Sequence, residues 1–133
     1  MSEKHEAVII DDLNTDRDEI GTLLYQFDES TIKGVPFFTD CAWVWPKADD
    51  IVMEGESHAH DFQEIVTLFG SNPEDPQDLG AEVEFWLEDE KYTLTKSCLI
   101  YVPKGVRHCP LIFRNVTRPI FHYIVGNSGR YKA

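Results

Sequence analysis

The chain has 133 residues, the size of one domain, and its 24 acidic against 12 basic residues give a formal net charge of −12. This balance argues against binding to nucleic acid or to an anionic membrane, because both need a basic surface. The three cysteines form no Cys-x-x-Cys pattern, the N-terminus carries no apolar signal segment, and no apolar run approaches a membrane span. We therefore expect a soluble, cytoplasmic protein with reduced thiols.

The first thirty residues differ in texture from the rest. An apolar run at 8–10 is typical of a short strand, and Asn14 or Thr15 can cap a short helix over the residues that follow. Apolar residues continue at helical spacing, namely Ile20, Leu23, Leu24 and Phe27. The alternative is a loop whose apolar residues plug the end of the following domain. The sequence thus predicts an N-terminal extension over 1–30, helical or irregular, packed on a domain formed by 31–133.

From residue 31 onward, short apolar or alternating runs are separated by Pro, Gly and Asp, which is typical of an all-β domain. An acidic segment with two prolines, residues 71–80, interrupts this pattern and predicts a loop that serves as a lid, as a contact surface or only as a connection. The candidate strands are 35–39, 41–46, 51–54, 62–70, 81–88, 91–95, 98–102, 107–113 and 119–125.

Two short motifs carry candidate metal ligands. In an extended strand His58, His60 and Glu64 have the same parity, so their side chains point to the same face. His108 follows a Pro-x-Gly turn on another predicted strand and can supply a third imidazole. Such a set of nitrogen and oxygen ligands suits one divalent transition-metal ion: Fe(II), Mn(II), Ni(II), Co(II) or Zn(II).

These motifs resemble those of the cupin superfamily. The first family motif ends in His-x-His, a short spacer, Glu and a later Gly, which His58, His60, Glu64 and Gly70 match; the second contains Pro-x-Gly-x-x-His, which Pro103, Gly105 and His108 match. Family glycines and the final Asn are replaced by Val52, Ser97 and Ile112. The resemblance implies a double-stranded β-helix, or jelly-roll barrel, with the metal inside one end. It also implies a homodimer, in which the 8–10 segment can be a strand given to the neighbour.

Further candidates lie near the second motif. His122 and Tyr101 can face the cavity as catalytic acid or base groups, although a hydrogen-bonded structural role explains His122 equally well. Arginines 107, 114 and 118 can either clamp a substrate carboxylate or form surface ion pairs. Cys109 is expected to face away from the ligand beside it. We identify no nucleotide-binding loop or other organic cofactor site.

Three imidazoles and one carboxylate leave about two positions open on an octahedral ion, which favours a metal-dependent enzyme. We expect it to act on a small oxygen-rich molecule as an isomerase, a lyase or decarboxylase, or a dioxygenase, since one fold hosts many reactions. The alternatives are a non-catalytic cupin that binds a small ligand or serves assembly, and a metal that only stabilises the barrel.

Overall fold

The computed structural model describes residues 8–11, 16–17 and 20–131, and within them the structure is all-β. The strands are β1 (Asp16–Arg17), β2 (Thr22–Phe27), β3 (Phe38–Val44), β4 (Ile51–Glu54), β5 (Glu64–Gly70), β6 (Asp78–Leu87), β7 (Glu90–Lys96), β8 (Cys98–Val102), β9 (His108–Arg114) and β10 (Ile120–Gly126). They form two antiparallel sheets that face each other, with strand orders β1-β2-β3-β10-β5-β8 and β4-β9-β6-β7.

The core fills the space between the sheets. Side chains alternate across a strand, so the even residues of β5, Val66 and Leu68, point inward and are buried. Phe85 on β6 and Phe113 on β9 meet them from the second sheet. Glu64 lies on the same inward face of β5, at its first residue. The predicted metal ligand Glu64 therefore lies at the end of the barrel where β5 begins.

The predicted N-terminal helix is wrong for the residues that the structure describes. Thr22–Phe27 form strand β2, which pairs with β3, and a register shift between Leu23 and Tyr25 marks a β-bulge. The bulge explains the misleading pattern, because an extra residue breaks the period-2 alternation of a strand. None of the described residues forms a helix long and apolar enough to cross a membrane.

The division into an extension over 1–30 and a barrel over 31–133 stays a prediction, although β2 already belongs to the six-stranded sheet. The short strand expected at 8–10 is not formed; Val8, Ile9 and Ile10 are exposed. The predicted helix start at Asn14 or Thr15 lies outside the described residues.

The acidic loop is shorter than predicted and lies away from the site. Asp78, Leu79 and Gly80 belong to β6, and Leu79 is fully buried. The remaining loop follows Gly70, whereas Glu64 lies at the opposite end of the same strand. Six residues of strand span about 20 Å. A lid over the site is therefore excluded for this loop.

Candidate metal centre and its cavity

His58 and His60 lie in the segment that connects β4 to β5, and the chain bends at residues 61–62, just before Gln63. The shared parity of His58, His60 and Glu64 therefore does not reflect a common strand, because only Glu64 lies on a named strand. His58 instead forms an isolated antiparallel bridge with His108, with N···O distances of 3.0 and 2.8 Å. This bridge links the β4–β5 connection, which leads into the six-stranded sheet, to the first residue of β9 in the four-stranded sheet.

A glycine turn fixes the second motif against the first. Gly105 has a φ of +82°, a conformation that glycine adopts without a steric penalty. Its amide donates to the carbonyl of His60 over 2.8 Å, and the amide of Val106 donates to the carbonyl of Pro103 over 3.2 Å. The Pro-x-Gly pattern therefore positions both motifs at once.

The three imidazoles converge as the motifs predict. One possible ligand atom from each of His58, His60 and His108 lies within 4.8 Å of the others. Glu64 completes the cluster: Oε1 lies 3.4 Å from Nε2 of His108, and Oε2 lies 3.9 Å from Nε2 of His60. His60, Glu64 and His108 are buried.

Backbone carbonyls orient two of the rings. Nδ1 of His58 lies 2.9 Å from the carbonyl oxygen of Glu56, and Nδ1 of His108 lies 3.0 Å from that of Val106. A carbonyl only accepts, so each Nδ1 carries the hydrogen. The Nε2 atoms then present lone pairs, which is the arrangement that metal-binding histidines use.

Tyr131 contacts this cluster from the C-terminal segment. Its hydroxyl lies 3.2 Å from Nε2 of His58, and its ring packs edge-on against His60 at 5.0 Å. Because Nδ1 of His58 is the donor, the Tyr131 hydroxyl donates to Nε2. No sequence pattern pointed to Tyr131.

A cavity of about 260 Å³ lies beside the histidines. His122, on β10, is buried and lines it, with Nδ1 2.8 Å from the carbonyl oxygen of Thr67. Tyr101 lies elsewhere: it is 56% exposed, and its hydroxyl donates to Gln63 on the outer surface. The structure thus brings His122 to the cavity and corrects the expectation that Tyr101 reaches inward.

No family model matches the sequence, and no curated protein matches it. Solved structures do. A cupin 2 conserved barrel domain protein from Salinispora arenicola has a TM-score of 0.53 at 16% identity, over 89% of this chain and 87% of that one. A recombinant oxalate oxidase in complex with glycolate has a TM-score of 0.57 at 11% identity, over 94% of this chain and 61% of that one. A deletion mutant of the oxalate decarboxylase of Bacillus subtilis has a TM-score of 0.58 at 13% identity, over 92% of this chain but 29% of that one.

The chain has the cupin fold. The jelly-roll prediction made from the two motifs is confirmed by the two facing sheets and by these neighbours. At such low identities the likeness concerns the fold alone, and the oxalate enzymes extend well beyond the part that this chain matches.

The donor set of this cupin fold suits a metal ion on chemical grounds. Oε2 of Glu64 and Nε2 of His108 are buried and have no hydrogen-bond partner among the described residues. Leaving a buried polar atom without a partner costs free energy. Burial lowers the pKa of His108, but the carboxylate of Glu64 3.4 Å away, the carbonyl of Val106 and the charge of Glu54 together outweigh it and leave that pKa above its usual value. A cation next to Glu64, either a proton on His108 or a metal ion, is therefore favoured.

Cys109 lines the cavity, contrary to the expectation that it faces away. Its φ of +79° lies in the left-handed region, and the pairing of β9 with β6 shifts register between Phe85 and Leu87. This bulge lets consecutive residues His108 and Cys109 both point inward. Burial, followed by the charges of Glu54 and Glu64, raises the pKa of its thiol to about 12, so it is protonated at neutral pH.

Two of the candidate clamp arginines form ion pairs on the outside of the barrel. Arg107 pairs with Glu88 and Asp89, and Arg114 pairs with Asp50 and Glu84. Arg118 is exposed and does not line the cavity. The surface alternative is confirmed for Arg107 and Arg114.

Proposed function

We propose that this chain binds one divalent transition-metal ion and acts on a small oxygen-rich molecule in the adjoining cavity. The observation that carries the proposal is the convergence of three imidazoles, two from the β4–β5 connection and one from β9, beside one buried carboxylate. The proposed ligands are the four residues predicted from the motifs: His58, His60, Glu64 and His108.

The cavity supports a catalytic use of the site. Three imidazoles and one carboxylate do not fill an octahedral sphere, and an ion held there would act as a Lewis acid toward a substrate oxygen. An oxalate oxidase in complex with glycolate and an oxalate decarboxylase share this fold, so other proteins of the fold handle small oxygen-rich molecules. A cavity of about 260 Å³ is likewise below the usual size of a site for drug-sized ligands.

His122 is the residue that we assign to proton transfer. Its Nδ1 donates to Thr67, which leaves Nε2 as the acceptor of the neutral ring. Burial holds the pKa of His122 below its usual value, so the ring is neutral near pH 7. A neutral imidazole in the cavity wall can accept a proton from a bound molecule.

The test of the metal site is elemental analysis of the purified protein. We expect about one ion per chain in the wild type and less than about a tenth of that in a His58→Ala/His60→Ala variant, since two ligands are lost. His122→Gln is the matched control and should keep its metal, because it removes a buried cavity histidine outside the ligand set. Circular dichroism verifies that each variant is folded. Equal metal content in the wild type and the double variant would reject the assignment.

A further inference from the structure

The charges that line the cavity restrict the ligand beyond its size. Three carboxylates line it, those of Asp40, Glu54 and Glu64, and none of the described residues that line it is a lysine or an arginine. The arginines for which the structure describes ion pairs, such as Arg130 with Glu29, form those pairs on the outer surface. A carboxylate ligand would thus meet three acidic side chains and no lysine or arginine among the described lining residues.

The two carboxylates outside the proposed ligand set, Asp40 and Glu54, both line the cavity. Asp40 lies on the inner face of β3, between Gln26 and Ile124 of the neighbouring strands. Burial, together with the negative charges of Asp28 and Glu64, raises its pKa against the lowering effect of a hydrogen bond from Gln26. Glu54 is the last residue of β4 and lines the same cavity as His108 and Tyr131.

The metal ion does not reverse this balance. Its two positive charges are met by three negative ones when all three carboxylates are ionised, so the loaded cavity is not positive. The buried Oε2 of Glu64, which has no hydrogen-bond partner among the described residues, belongs to a residue that lines this cavity. Apart from the carboxylates, the histidines, Cys109 and Tyr131, the side chains described in the wall are apolar and include Met53, Phe85 and Ile124.

We infer that the cavity takes a neutral or cationic molecule with hydroxyl, amide or amine donors, and that it rejects carboxylates such as oxalate and glycolate. This inference rests on the proposed function, because the donors would bind beside the metal. Asp40 and Glu54 accept the hydrogen bonds of such a ligand, and the apolar wall contacts its carbon atoms. The site thus differs in charge preference from a protein of this fold whose structure holds glycolate.

Three two-carbon probes of nearly equal size test the inference: glycolate, glycolamide and ethanolamine. Their affinities for Mn²⁺-loaded protein are measured by titration calorimetry at pH 7.5. We expect glycolamide or ethanolamine to bind at least about tenfold more tightly than glycolate, because like charges repel strongly in a cavity of low polarity. The tighter of the two decides between a neutral and a cationic ligand. Glycolate binding as tightly as the others, or more tightly, would overturn the inference.

A double variant, Asp40→Asn/Glu54→Gln, supplies the matched control. It removes two charges at nearly constant volume, and the gap between glycolate and glycolamide should shrink by about tenfold. An unchanged gap would show that these carboxylates do not set the preference and would also overturn the inference. Thermal melting checks that the variant folds.

Metal content is measured first, so that a failure of the proposed function can be distinguished from a failure of the inferred ligand class. Protein without metal would reject the proposed function, and the three probes are then tested on the metal-free protein. The same order is expected there, because the cavity without a metal ion is more negative. Glycolate as the preferred probe of a metal-loaded protein would reject only the ligand class.

Discussion

The hydroxyl of Tyr131 and a metal ion compete for the same atom, Nε2 of His58. The hydroxyl lies 3.2 Å from that nitrogen, and the other ring nitrogen already donates to Glu56. Metal binding at His58 therefore requires this hydrogen bond to break. Tyr131 is 37% exposed, so part of its side chain already borders solvent.

We expect Tyr131→Phe to bind metal up to about fivefold more tightly, since a hydrogen bond of about 1 kcal/mol no longer has to be given up. The dissociation constant is measured by competition with a chromophoric chelator. Tyr92→Phe is the control, because its hydroxyl donates to exposed Glu90 and its loss should not affect metal affinity. Weaker binding by Tyr131→Phe would instead make the phenol a supporting group of the bound metal.

Residue types and spacing were enough to predict the histidines and Glu64, because metal ligation demands particular donor atoms at particular intervals. They did not predict Asp40 or Tyr131, which reach the cavity only through the pairing of β3 and the path of the C-terminal segment. Nor did they predict the direction of Cys109, which depends on a positive φ and a bulge.

At the scale of elements, the turn before β9 decides whether the two motifs meet. Gly105 adopts φ +82° and donates to the carbonyl of His60, so its conformation orients a ligand outside its own motif. A methyl group at this position would meet no atom within 4 Å, so the only local penalty of an alanine is its backbone conformation.

Gly105→Ala should lower the free energy of unfolding by about 1 kcal/mol, the usual cost of a non-glycine residue in this region. It should also weaken metal binding, because a relaxed turn moves the amide away from His60. Gly34→Ala is a closely matched control, since Gly34 has φ +88° and equally open surroundings. Denaturant unfolding should show similar losses for both variants, and metal titration should show weaker binding only for Gly105→Ala. Equal metal affinity in both would show that the turn does not position His60.

The strands 51–54 and 98–102 were predicted with their observed bounds, and the others mostly within a few residues. Alternation is a strong signal wherever one face of a strand is buried. The pattern misled us at β2, where the bulge beside Leu24 interrupts the alternation and produces an apparent helical spacing. Local spacing cannot reveal a bulge whose cause is the pairing with a distant strand.

At the scale of the whole molecule, a net charge of −12 opposes contact between two copies, whereas one sheet edge favours it. Four described strands end a sheet: β1, β8, β4 and β7. Of these, β8 alone carries no charged residue, and its Leu99 and Tyr101 are 63% and 56% exposed. Uncharged edges are the ones that associate, because charges on an edge strand normally prevent pairing.

The predicted homodimer is therefore expected to form through β8, and its affinity should reveal both effects. Raising NaCl from 20 to 300 mM should tighten association, because the Debye length falls from about 20 to about 6 Å and screens the repulsion between copies. Leu99→Lys should weaken association by at least about tenfold, since it replaces a buried apolar contact with a charge. Tyr92→Lys on the already charged strand β7 is the control and should associate like the wild type. Sedimentation velocity over a concentration series measures association of the wild type at both salt concentrations and of the two variants. A Leu99→Lys protein that still associates normally would place the interface elsewhere. A wild type that stays monomeric at high salt would exclude the homodimer.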